Sequence, residues 1–133
     1  LLRDEPLLQA IAWRSIDSIQ HQFHPQNLGN LAWAFAKLKF RNVPMFQAIS
    51  CASLPKLCSF TPQHLTNTVW ACAHLDYKDI PLINAIADQA LQRMLTFNPQ
   101  NMANTAWSFA TLAIRNVPLM TALSSRAVAT MSN

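Results

Sequence analysis

The hydrophobic positions of this chain recur with a period far longer than a helical turn. Phe23 to Leu38, Phe60 to Leu75 and Phe97 to Leu112 carry one pattern three times, 37 residues apart: a Phe, Pro-Gln two residues later, an apolar residue, an Asn, a Trp and a closing Leu. Self-similarity at such a period is the mark of a repeat protein. A second pattern lies between the copies, in Pro6 to Ile11, Pro44 to Ile49, Pro81 to Ile86 and Pro118 to Leu123. Each of these prolines stands two residues after Asp4, Asn42, Asp79 or Asn116. Those side chains accept the free N–H groups of a helix start, and proline is tolerated in the first turn, where its missing N–H does no harm. From the prolines, offsets 1, 2, 4, 5, 10 and 13 are apolar or small, a stripe wide enough to need cover on more than one side. The pattern predicts four helices of this A type, sandwiched between others.

The threefold pattern predicts a second, B type of helix. Thr61 or Asn98 can cap it, with Pro62 or Pro99 at its first position, whereas His24 replaces the capping residue in the first copy, at a cost of about 1 kcal/mol. Its apolar set, Leu28, Leu31, Ala32, Trp33, Phe35, Ala36 and Leu38, runs almost around the helix. That predicts burial against its own A helix and both neighbouring units. Pro55 removes a helix hydrogen bond and crowds the preceding turn, so the second A helix is expected to kink or end near Leu54. One extra residue before Phe23 makes the first A-to-B loop differ.

The fold expectation is therefore all-α: an α-solenoid of antiparallel helical hairpins, about 3.5 repeats with a period of 37–38. One domain spans 1–133, with units near 4–41, 42–78, 79–115 and a partial 116–133. A start at Leu1 without Met and an end at Asn133 soon after a helix begins read as an excerpt of a longer array.

Composition narrows the function classes. With 51% hydrophobic and 12% charged residues the chain has material for a core and is unlike a disordered tail. The longest apolar run, Leu31 to Ala36, stops at Lys37, far short of the roughly 20 residues that cross a bilayer. Cys51, Cys58 and Cys72 lie in apolar helical segments, which suits reduced core thiols in an intracellular or organellar compartment. His21 and His24 have no Cys or carboxylate at ligand spacing, and Cys72 and His74, two apart, diverge on a helix. A single Gly rules out a glycine-rich phosphate loop, and no Ser, His and Asp constellation stands out. The expectation is a protein that is not an enzyme, with no cofactor and no metal.

The B pattern, Pro-Gln-x-Leu-x-Asn-x-x-Trp-x-x-Ala-x-Leu over Pro25 to Leu38, Pro62 to Leu75 and Pro99 to Leu112, resembles the octotricopeptide repeat of algal and other eukaryotic organelle proteins. The resemblance covers essentially the whole chain. The period of mostly 37 departs from the 38 of the family name, and the Gly usual after the closing Leu is replaced by Lys39, Asp76 and Ala113. The resemblance implies an α-solenoid that binds single-stranded RNA, an organellar transcript or rRNA, in a mitochondrion or plastid. The competing class is a protein-interaction scaffold, a structural subunit of a large organellar assembly such as a ribosome. No membrane insertion is expected.

Charge and polarity locate candidate contacts for such a ligand. The net charge of +4 favours a polyanion modestly. Arg41, Lys78 and Arg115 occupy one offset in successive B-to-A loops, and Lys37 and Lys39 lie near them, so a phosphate backbone could follow this edge. Gln9, Gln47, Asn84 and Thr121 at offset 3 of the A helices, with Trp13, Cys51, Asp88 and Ser125 one turn later at offset 7, form a polar ladder of varying identity. Varying side chains on a fixed ladder are what one-base-per-repeat reading requires. Arg14, Arg126, Lys56 and Arg93, at offsets 8 and 12, are expected to share that face. The repeated Trp33, Trp70 and Trp107 are expected in the core, and Asn30, Asn67 and Asn104 as ties to neighbouring loops.

Overall fold

The computed structural model describes residues 4–131, without the side chains of Gln20 and His21. Among the described residues the chain forms seven α-helices, α1 (Glu5–Gln22), α2 (Pro25–Lys37), α3 (Val43–Ser53), α4 (Pro62–His74), α5 (Ile80–Gln92), α6 (Pro99–Thr111) and α7 (Val117–Met131), and no strand. The odd-numbered helices are the A type and the even-numbered the B type. The protein is all-α.

Each A helix starts where its sequence dictates. Asp4, Asn42, Asp79 and Asn116 accept the backbone N–H three residues on, at 3.0, 2.9, 3.1 and 3.0 Å. The B helices use a reciprocal pair. Thr61 Oγ1 accepts from the His64 N–H at 3.2 Å while His64 Nδ1 accepts from the Thr61 N–H at 3.3 Å. Asn98 and Asn101 exchange the same two bonds at 2.7 and 3.1 Å. In α2 the reciprocal half forms, from the His24 N–H to Asn27 Oδ1 at 2.9 Å, consistent with a weaker cap there.

The B helices share one ending. Lys39, Asp76 and Ala113 have φ of 56°, 52° and 55°, the left-handed conformation that an L side chain resists. Their N–H groups reach back three residues, to Ala36, Ala73 and Ala110, and the next N–H groups reach back five, to Phe35, Cys72 and Phe109, at 3.0, 2.8 and 3.0 Å. This double bond pattern satisfies the last carbonyls of each helix. The apolar contact that accompanies it is visible in unit one, where the Phe35 and Phe40 rings lie 5.6 Å apart. The missing Gly of the repeat therefore sits at a position whose backbone asks for one.

Pro55 acts as expected. α3 ends at Ser53 and the chain continues as a 3₁₀ segment from Leu54 to Ser59. α5 is likewise followed by a 3₁₀ turn, Met94–Thr96, whereas α1 runs 18 residues directly to Gln22, the site of the extra residue.

Packing runs helix to like helix. α4 lies against both α2 and α6, α3 against α1, and α7 against α5, while α5 also packs on the 3₁₀ segment after α3. The core is correspondingly periodic: Phe60, Leu65 and Val69 of the second unit are fully covered, as are Leu28 and Ala32 of the first. Cations bind units together. Lys56 Nζ donates to the Phe23 carbonyl at 3.1 Å, and 37 residues on Arg93 donates to the Phe60 carbonyl and, at 3.4 Å, to that of Leu57. The A-face role expected of Lys56 and Arg93 thus gives way to a structural one, because each side chain is held against the carbonyl that precedes a B helix.

Two stability measurements follow. Ala113→Gly relieves the left-handed strain and is expected to raise the unfolding free energy by about 0.5–1 kcal/mol, read as a higher thermal midpoint. Arg93→Ala leaves the Phe60 carbonyl without its charged donor and is expected to lower the unfolding free energy by about 1.5–3 kcal/mol in urea titration.

Candidate nucleic-acid interface

The B helices are not buried all round. α4 has like helices on two sides and α5 on a third, which leaves the fourth side open. Gln26, Asn30, Trp33 and Lys37 lie along that side of α2 and are all exposed. Their spacing of 4, 3 and 4 residues keeps them on one helical stripe. Gln63, Asn67, Trp70 and His74 repeat the stripe on α4, and Gln100, Asn104, Trp107 and Thr111 on α6. Trp33 is 42% exposed and Trp107 45%, while Trp70 is half-buried. The expected core role therefore fails for Trp33 and Trp107, whose apolar bulk was counted toward a buried circumference that no helix covers, and holds in part for Trp70, which packs against the core.

The three stripes lie close together. Asn30, Trp33, Gln63, Asn67, Gln100 and Asn104 line one groove of about 430 Å³. The indoles of Trp70 and Trp107 have centroids 6.5 Å apart. The His74 ring stacks on Trp70 at 4.7 Å and 16°, and Lys37 Nζ sits 5.5 Å from the centre of the Trp33 ring, within cation–π range. Asn67 Oδ1 accepts from Gln63 Nε2 at 2.9 Å, a bond within its own helix rather than the tie to a neighbouring loop expected of this row. The signal for this surface was present in the sequence. Three of the four residues on each stripe are polar or charged in the first two units, so the Trp shares its face with side chains that seek water.

The residues predicted for phosphate contact are all on the surface, but they are not equivalent. Lys37, Lys39, Lys78 and Arg115 are exposed. Arg41 is also exposed, yet its Nε donates to the Leu75 carbonyl at 3.1 Å and its guanidinium lies 5.9 Å from the Tyr77 ring, which anchors it between the first two units. The base-reading candidates Gln9, Gln47, Asn84, Thr121, Trp13, Cys51, Asp88 and Ser125 are exposed without exception. Their ladder crosses from α3 to α5 over the 3₁₀ segment on which α5 packs, so it is less closely set than the B stripes.

The cysteines divide. Cys72 is buried, but Cys51 and Cys58 are exposed, so the expectation of three core thiols holds for one alone. Burial, with the Asp79 carboxylate adding to it, pushes the Cys72 thiol up to about 12. Among the described residues no three His, Cys, Asp or Glu side chains gather to hold a metal ion, and no helix is long and apolar enough to cross a membrane.

The chain is thus an all-helical protein that sets amides, aromatics and cations of its B helices on one open surface. Residues 46–132 match the family described as RESC6, RNA-editing substrate-binding complex 6 protein, and the chain belongs to that RNA-associated family of helical proteins. No curated protein matches it significantly.

The thiol geometry is open to direct measurement. A disulfide reagent at pH 8 is expected to modify Cys51 and Cys58 of the folded protein rapidly and Cys72 only after denaturation, because the thiolate is the reacting form. The raised Cys72 value also makes the folded state lose stability as pH rises from the ordinary 9.0 toward about 12, since the unfolded chain releases that proton first.

Proposed function

We propose that this chain is a single-stranded RNA-binding helical array, not an enzyme, acting in organellar RNA metabolism or translation. Its units stack as an α-solenoid of the octotricopeptide type, one domain over 1–133, in a mitochondrion or plastid. The observation that carries the reading is the exposed cationic edge: Lys37, Lys39, Lys78 and Arg115 all lie at or just after the C-terminal ends of B helices. Such an edge runs across the units and offers positive charge at intervals of about 8 to 10 Å, the spacing of packed helices. A phosphate backbone laid along it exchanges its counterions for these side chains. Membership of a family named for an RNA-editing substrate-binding complex supports both RNA and partner proteins as ligands. That name also favours the second reading, a scaffold within a ribonucleoprotein assembly, in which the same surface meets protein.

Affinity for a pool of single-stranded RNA, measured at several salt concentrations, separates the two. With ~3 to 5 phosphate contacts, log affinity is expected to fall with log salt at a slope of about 2 to 3.5. Lys78→Glu with Arg115→Glu reduces that slope by about 1.4 and weakens binding while helicity is retained. Unchanged affinity in the double variant overturns the edge assignment. A parent that binds no RNA under any salt condition overturns the function in favour of the scaffold.

A further inference from the structure

The RNA reading leaves open where the bases go, and the geometry points to the open side of the B helices: the bases stack on Trp33, Trp70 and Trp107 beside the Asn30, Asn67 and Asn104 amides, not on the A-helix ladder. This inference rests on the RNA-binding reading and assigns its base site. Three observations converge on it.

The first is that the indoles are held in the open with a face available. Base-on-aromatic stacking is the common device of single-strand binders, and an exposed indole offers such a stack a flat face. His74 shows that the arrangement is accessible, because its ring already lies parallel on Trp70 at 4.7 Å. A nucleobase is a larger heteroaromatic ring of the same kind. The second observation is the shape of the strip. The Trp row is one side chain wide, bordered on one side by the Asn and Gln rows and on the other by Lys37, His74 and Thr111. A protein interface wants a broader apolar centre, whereas a row of bases with polar edges fits a narrow apolar line between amides. The Trp70 and Trp107 indoles, 6.5 Å apart, are within reach of neighbouring nucleotides on one strand. The third is direction. Going along each B helix the order is amide, amide, indole, then Lys37 or its equivalent, and then the cationic loop edge. A strand with phosphates on that edge projects its bases back over the indoles.

The units differ in how open they are. Trp107 has Thr111 at the position from which His74 covers Trp70 and Lys37 covers Trp33, so Trp107 carries the largest share. The Gln, Asn and Trp rows are the same in all three units, so these rows offer the same contacts at every step, and only the bordering Lys37, His74 and Thr111 vary. The strip selects single strands over duplexes, whose bases are already stacked.

The test uses the full chain and a labelled single-stranded RNA of mixed sequence, alone and annealed to its complement. The parent is expected to bind the single strand in preference to the duplex, with quenching of tryptophan fluorescence. Trp107→Ala and Trp33→Ala each weaken binding about 5- to 150-fold, and Trp107→Phe recovers most of the loss by restoring a ring. Gln47→Ala with Asn84→Ala leaves affinity unchanged. Circular dichroism verifies that every variant remains helical. Equal RNA binding by the parent and both Trp→Ala variants overturns the base site and leaves the RNA-binding reading standing, as does a loss confined to the Gln47 and Asn84 pair. A parent that binds no RNA overturns both.

Discussion

Everything in this structure depends on α4 being packed between two helices like itself. A single helical pair does not cover its own apolar face, so each unit draws stability from the neighbour it stacks on. Side-by-side packing asks for small residues where the backbones approach. Gly29 meets the backbone of His64, where an added Cβ would lie 3.5 Å from Cα and O, an ordinary contact that leaves no room for more. Two threonines enter this layer by turning back on their own helix, whereas the buried Thr66 hydroxyl of α4 has no hydrogen-bond partner among the described residues. Thr68 and Thr105, 37 residues apart, donate to the carbonyls four residues earlier at 2.8 and 2.7 Å, which satisfies them without a partner on the next helix. The same constraint that buries three sides of α4 leaves its fourth side free, and that side carries the repeated indoles and amides.

Much of this was legible in the sequence because it is local. Capping residues, first-turn prolines and the break at Pro55 each act over a few residues, and the chain follows all of them. The left-handed positions Lys39, Asp76 and Ala113 could be located from the repeat even though the expected Gly is missing. What was not legible is what covers what. Hydrophobic count alone placed Trp33 and Trp107 in the core, but burial depends on whether another helix lies over that side, which a single helix's pattern does not state. Lys56 and Arg93 look like solvated cations until folding brings the Phe23 and Phe60 carbonyls within reach. Cys51 and Cys58, surrounded by apolar residues in sequence, emerge at the surface for the same reason.

The distribution of repeated and varying residues takes on a different sense once the faces are known. Invariance across units usually marks structure, and for the buried Phe60 and Phe97 it does. For the Gln row, Asn30, Trp33 and Trp107 it coincides with exposure, while Asn67, Trp70 and Asn104 are half-buried. The proposed RNA ligand, which repeats along its own length, accounts for the exposed members. The varying A ladder is exposed in every unit, so no common packing constrains its identities.

The four tryptophans of the chain permit one measurement to decide between the faces, since Trp13 lies on the A ladder and the other three on the B stripes. Indole N–H resonances followed during titration with single-stranded RNA are expected to shift for Trp107 and Trp33 most, for Trp70 less, and not for Trp13. A titration in which Trp13 moves while the three B-helix indoles stay fixed contradicts the account.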